Sequence, residues 1–259
     1  AAHSITATFK GKGGAGSVPR TDRIYCSFLT DNLPGSGNIA GWASYLPAGK
    51  TLKPLASPEV AVIDERKFVS NRSVESDGLD LGPVAAPIPC AGATIVAVAK
   101  PVRLGSDPGW TSLVDLCYDR LVLGIMNGSG KVVVRRNGSL ETSMATIPDG
   151  QTTILSLVVQ QSGAYKVYAN GTRVMDVTSA SDMSSLVPGV AGGFANRITF
   201  GRNWPDGWTT FNGCFGDLLV YTTALTDTER ERLETFLSNR LTASGSASKI
   251  TSTTGSGPP

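Results

Sequence analysis

The stretch TTILSLVVQQSGAYKVYANGTRVMDV, Thr152 to Val177, decides how the rest of the chain is read. Residues 153–160 and 164–169 are short runs rich in β-branched and aromatic side chains, joined through Gln161-Ser162-Gly163. Asn170-Gly171 then turns the chain into 172–177. A two-residue hairpin turn needs positive φ at both central positions, which Asn-Gly supplies, so the stretch reads as a three-stranded meander.

The same signals recur outward from it. Residues 93–99 form a short apolar run, β-branched at Thr94, Ile95, Val96 and Val98, whose length and branching argue strand. Further strands are expected at 5–10, 23–29, 68–74, 79–81, 112–119, 121–126, 131–136, 198–201 and 214–221, with Asn127-Gly128 and Asn137-Gly138 as turns. Strands this short at this spacing indicate an all-β sandwich or barrel. Leu155, Leu157, Val167, Leu218 and Val220 are expected in its core. Residues 31–60 are rich in Pro and Gly, with Trp42 and Tyr45 among them, and read as a long irregular loop or wrapping segment.

One helix is expected, over 226–241. Thr226 with Glu229 three residues on forms a capping box. Leu233, Phe236, Leu237 and Leu241 line one face, with Glu231, Arg232, Glu234 and Asn239 on the other. Residues 243–259 have linker composition.

Composition limits the function. Of 259 residues 41% are hydrophobic, enough for a core, while 17% are charged, below the roughly 25% usual in soluble domains. The net charge of +2 gives no bulk attraction to nucleic acid or anionic membrane. No apolar run reaches the about 20 residues of a membrane span. No secretory leader is seen at Ala1, where the missing Met fits either initiator removal or leader cleavage. Cys26, Cys90, Cys117 and Cys214 match no zinc or redox spacing and read as buried thiols.

Two segments then resemble a known family. Gly150 to Val159 followed by Tyr168-Ala169-Asn170-Gly171 is similar to the central hairpin of laminin-G-like, concanavalin A-like domains. Ile198-Thr199-Phe200-Gly201, Phe211-Asn212-Gly213, Gly216 to Tyr221, and Ala224-Leu225-Thr226-Asp227 with Glu229-Arg230 resemble its closing strand and capped helix. The resemblance covers about residues 60–242. It implies a two-sheet antiparallel β-sandwich, a concanavalin A-like jelly roll with one short C-terminal helix. Residues 1–59 match no part of the pattern and are expected to belong to the same domain, with 243–259 as a tail. The family includes carbohydrate-binding modules, adhesion domains, glycan-cleaving enzymes and phage surface proteins, and many members hold calcium at the rim.

The candidate chemistry is sparse. Glycan cleavage needs two carboxylates flanking the scissile bond. The Glu-x-Asp-x-x-Glu run usual in sandwich enzymes is absent, and Asp64-Glu65 and Glu75-Ser76-Asp77 read as loop or edge charges. His3 is the only histidine, and a terminal His is a poor general base. Calcium is left open: Asp107, Asp149, Asp182 and Asp206 lie in expected loops, where capping of turns is the commoner role. The most suggestive segment is Arg202-Asn203-Trp204-Pro205-Asp206-Gly207-Trp208, with Trp110 nearby as a further member. Aromatic faces stack on sugar C–H surfaces while Arg, Asn and Asp take hydroxyls. The alternative is that the tryptophans close the core. Asn71, Asn127, Asn137 and Asn170 fit the N-glycosylation pattern, three of them equally as Asn-Gly turns.

The expected protein is a non-catalytic surface module, extracellular or on a cell or virion. It would bind glycans or act as a decoration or adhesion subunit, with assembly contacts through residues 31–60 and the 244–259 tail. The rival reading is a glycoside hydrolase or polysaccharide lyase.

Overall fold

The computed structural model describes residues 18–55, 58–72, 78–84, 87–102, 109–117, 120–178, 182–187, 196–202 and 210–246. The strands in chain order are β1 (Ile24–Phe28), β2 (Gly37–Asn38), β3 (Trp42–Ala43), β4 (Thr51–Pro54), β5 (Glu59–Ile63), β6 (Arg66–Arg72), β7 (Leu79–Pro83), β8 (Ile88–Pro89), β9 (Ala93–Pro101) and β10 (Trp110–Leu116). They continue as β11 (Leu121–Met126), β12 (Lys131–Arg136), β13 (Ser139–Thr146), β14 (Thr153–Val159), β15 (Tyr165–Ala169), β16 (Thr172–Val177), β17 (Ser185–Val187), β18 (Arg197–Phe200) and β19 (Asn212–Tyr221). One helix, α1 (Asp227–Ser246), follows, and no helix among the described residues is long and apolar enough to cross a membrane.

Two antiparallel sheets form the sandwich. One runs β16-β15-β14-β9-β19-β6-β5-β2, with β1 also on β19; the other runs β13-β12-β11-β10-β18-β7-β4-β3. The expected core residues are there: Leu155, Leu157, Val167, Leu218 and Val220 are all fully buried.

Both faces of the first sheet are covered, which explains the apolar run 93–99. Ile95, Ala97 and Ala99 join the inter-sheet core, while Val96 and Val98 join an outer cluster with Leu219, Leu233, Phe236 and Leu237 under α1. Alternate side chains of a strand point to opposite faces, so a doubly covered strand loses its polar alternation. The helix start is a reciprocal capping box: the Thr226 N–H donates to Glu229 Oε2 at 2.9 Å, and the Glu229 N–H donates to Thr226 Oγ1 at 3.3 Å.

The structure corrects four expectations. Residues 31–60, read as an irregular loop or wrapping segment, carry β2, β3, β4 and the start of β5, and Trp42 is fully buried. Its indole packs against Phe28 and Phe215, and its N–H donates to the Leu29 carbonyl at 3.0 Å. The helix runs to Ser246 rather than ending at Leu241. Glu234 does not face solvent: it is buried, accepts the Ser156 hydroxyl at 2.7 Å and pairs with Arg230 at 2.9 Å, because the helix lies across β14 and presses this flank onto it. Finally, Asn127-Gly128 is not a two-residue turn. The chain reverses over 127–130, where the Gly130 N–H reaches the Met126 carbonyl and Gly130 takes the positive φ. Asn137-Gly138 and Asn170-Gly171 do turn with positive φ at both residues.

A buried ionic cluster ties the helix to the rest. Asp217 of β19 lies between Arg240 of α1 at 2.9 Å and Arg66 of β6 at 3.2 Å, and accepts the Thr30 N–H at 2.8 Å. Arg240 also reaches Asp31 at 3.0 Å.

Candidate functional site

The described residues on either side of 203–209, Gly201 and Thr210-Phe211, are held against the sheets. Asn203, Trp204, Asp206 and Trp208 lie outside the described residues, but the flanking positions Gly201, Arg202, Thr210 and Phe211 do not. Gly201 has φ +78°, a conformation that favours glycine, and a Cβ there would meet Asn71 Nδ2 at 2.8 Å and Phe215 at 3.0 Å. The Asn71 side chain, 1% exposed, donates to the carbonyls of Gly201 and Phe211, each at 2.7 Å, and so staples the two ends together. Asn71 is thus a clamp inside the fold, not an accessible glycosylation acceptor. The Gly201 N–H donates to the Leu113 carbonyl, and Thr210 bridges to Ser112. Both ends therefore stand beside β10.

Trp110 opens that strand, two residues before Ser112. Its ring is half-buried. It lies close to Gly124 of β11, where a Cβ would come within 3.3 Å of the indole, and the Arg135 guanidinium sits 5.7 Å from the ring centroid. Such a cation over an aromatic face is attracted by the ring quadrupole. The structure thus places Trp110 on the strand beside Gly201 and Thr210, with Arg135, which sequence reasoning missed, next to it. The signal was parity: Val132 and Val134 enter the core, so Arg135 points the other way. Arg202 departs from its expected place. Only 7% exposed, it accepts the Thr199 hydroxyl on its carbonyl at 2.8 Å and packs its stem near Gly78, so it belongs to the loop base rather than to a presented surface.

A single row crosses this sheet. The pairings Lys53↔Asp80, Asp80↔Thr199, Thr199↔Asp115, Asp115↔Val122 and Val122↔Arg135 place these six side chains on one face, away from the core. At the usual strand spacing the row spans about 24 Å. Its middle is shielded, Thr199, Asp115 and Val122 being buried, while Arg135 is half-buried at one end and Lys53 exposed at the other.

The remaining candidates resolve as follows. Asp64 and Glu65 both have positive φ and form the β5–β6 turn. Asp182 caps a local turn through the Ser184 N–H at 3.2 Å, and Asp149 is exposed. Among the described residues no three His, Cys, Asp or Glu side chains gather as for a metal. His3, Glu75, Asp77, Asp107 and residues 247–259 lie outside the described residues. The four thiols are unpaired; burial pushes Cys26 and Cys117 up to about 12.

Comparison with known proteins adds the following. The model of the concanavalin A-like lectin/glucanases superfamily (laminin G type) matches residues 89–229, more than half of the chain. No curated protein sequence matches. Among solved structures, domain 4 of AbnA, a GH43 extracellular arabinanase from Geobacillus stearothermophilus in complex with arabinotriose, superposes with a TM-score of 0.55 at 18% identity, covering 80% of this chain and 96% of that one. The binding domain of Paraclostridial Mosquitocidal Protein 1 gives 0.62 at 16%, over 85% and 53%. Botulinum neurotoxin type C, in a structure concerned with two ganglioside molecules, gives 0.59 at 13%, over 84% and 52%. The chain thus spans about half the length of the toxin domains, and at these identities the likeness is one of fold.

Proposed function

This chain belongs to the concanavalin A-like lectin/glucanases superfamily, and from that membership we propose that it is a non-catalytic glycan-binding module. The observation that carries the reading is the half-exposed Trp110 ring, with Arg135 beside it and the anchored ends of the Trp204–Trp208 loop next to it. An aromatic face with a flanking guanidinium offers a sugar a stacking surface and hydroxyl-directed donors at once. Asn203, Trp204, Asp206 and Trp208 are proposed to complete that surface. Solved relatives of the fold include a domain bound to arabinotriose, which agrees with a saccharide ligand.

Catalysis is disfavoured by how carboxylates of the described residues are used. Asp217 lies between two arginines, Asp80 pairs with Arg197, Glu234 is tied to Arg230 and Ser156, and Asp64-Glu65 is a turn. A glycosidase needs one carboxyl held as an acid and another facing it across the bond. The module is proposed to act outside the cell, on a cell or virion surface, where decoration or adhesion would use the same sugar contacts, with calcium at the rim as a further option.

The test is a glycan array probed with the wild type and with Trp110→Ala, Trp204→Ala and Trp208→Ala. Loss of a glycan signal in at least one variant with an unchanged melting curve is expected. Turnover of a polysaccharide, abolished by changing one carboxylate, would replace this reading with the enzyme.

A further inference from the structure

The exposed Lys53 end of the polar row opens into a cleft of about 540 Å³, lined by Tyr25, Lys50, Thr51, Lys53, Leu81 and Val84 among others. Its size is that of a small-molecule site. Its charge is one-sided. Among the described residues no carboxylate lines it, and Asp80, the partner of Lys53 across the strands, is already committed: Oδ1 accepts the Gly82 N–H at 2.8 Å, and Oδ2 pairs with Arg197. Lys50 and Lys53 make no ion pair among the described residues. The Lys50 ammonium lies 4.1 Å from the Tyr25 ring centroid, a contact that orients the charge without neutralising it. Burial raises the Tyr25 hydroxyl above the ordinary phenol range, so it remains a donor.

We infer that this cleft binds the carboxylate or sulfate group of an acidic saccharide. Two uncompensated ammonium groups call for an anion. The Thr51 and Tyr25 hydroxyls suit the hydroxyls around it, and the apolar wall of Leu81 and Val84 suits sugar C–H groups. A bare inorganic anion would leave that wall unused. A planar base would need the Tyr25 face, which Lys50 already covers. The ligand class rests on the glycan-binding reading, but the residues are distinct from the Trp110 platform.

Titration calorimetry of the full chain separates the two. The probes are a galacturonate tetrasaccharide, a chondroitin sulfate tetrasaccharide and a neutral galactose tetrasaccharide. At least one acidic probe is expected to bind, and to weaken about tenfold or more in Lys50→Ala/Lys53→Ala, as for loss of a charge-assisted contact. Lys50 is half-buried and Lys53 exposed, so the melting temperature should hold. Lys50→Arg/Lys53→Arg should retain binding, and higher salt should weaken it. Wild-type failure to bind either acidic probe, or equal binding by the alanine variant, overturns the inference. If Trp110→Ala and the loop variants leave every glycan signal intact while the lysine variant loses the acidic probe, the platform falls and the cleft stands.

Discussion

Asp217 shows how much a single side chain can govern here. Burial acts to raise its pKa, but Arg240 and Arg66, with hydrogen bonds from Arg240 and Thr30, outweigh burial and hold the carboxyl below the usual range. Its folded value is therefore depressed. The stability it contributes is present above the unfolded carboxyl value of about 3.9 and is lost as pH falls through the folded value. The urea midpoint should fall between pH 6 and pH 3, and Asp217→Asn should flatten that fall; an unchanged slope would exclude the linkage. The same variant leaves two buried arginines short of charge, which typically costs about 3–5 kcal/mol. Thr226 is a milder case. Thr226→Ala removes the hydroxyl that accepts the Glu229 N–H and should cost about 1 kcal/mol, read from a two-state unfolding curve. A shift within error would mean that water replaces the cap.

Elements were legible where their pattern was local. The β14–β16 meander announces itself through Asn170-Gly171, and α1 through its cap and its leucine stripe. β13 escaped notice because of its eight residues only Ser143 is buried, so an exposed edge strand carries no apolar alternation. β2, β3 and β4 escaped because two to four residues between Pro and Gly fall below any periodic signal, and only long-range pairing makes them strands. The buried Glu234 and Arg240 of α1 were hidden for a related reason: their partners Ser156 and Asp217 lie far away in sequence, on β14 and β19. At the site, tryptophans are conspicuous in any sequence, whereas Arg135 and the Asn71 clamp depend on register. The clamp supplies a test at this scale. Asn71→Ala removes both bonds to the loop base and should cost about 1–3 kcal/mol in urea unfolding, with faster amide exchange at Gly201 and Phe211. Unchanged protection there would show that the strand pairing alone holds the loop.

For the whole molecule, the question is whether the region matching the family, residues 89–229, stands by itself. The packing argues otherwise. Phe28 lies 5.6 Å from Trp42 and 5.9 Å from Phe200, and Trp42 lies 6.5 Å from Phe215, ring to ring, so the first strands insert aromatic groups between the two sheets. β1 pairs with the second half of β19 while β6 pairs with its first half, so without β1 the residues Leu218 to Tyr221 lose a neighbour. Thr30 also supplies the backbone donor to Asp217. Removing Phe28, Trp42 and Leu52 together would open a void between the sheets, and a single buried aromatic already contributes about 3–5 kcal/mol by truncation. Against total domain stabilities of about 5–15 kcal/mol, that loss is decisive. We therefore expect a chain comprising residues 60–259 to lack a cooperative urea transition and a near-UV circular dichroism signal, although it contains every residue of the family match. The same truncation removes Tyr25, Lys50 and Lys53, and with them the anionic cleft. A cooperative transition of the 60–259 chain near the midpoint of the full chain would show that the early strands decorate the sandwich rather than complete it.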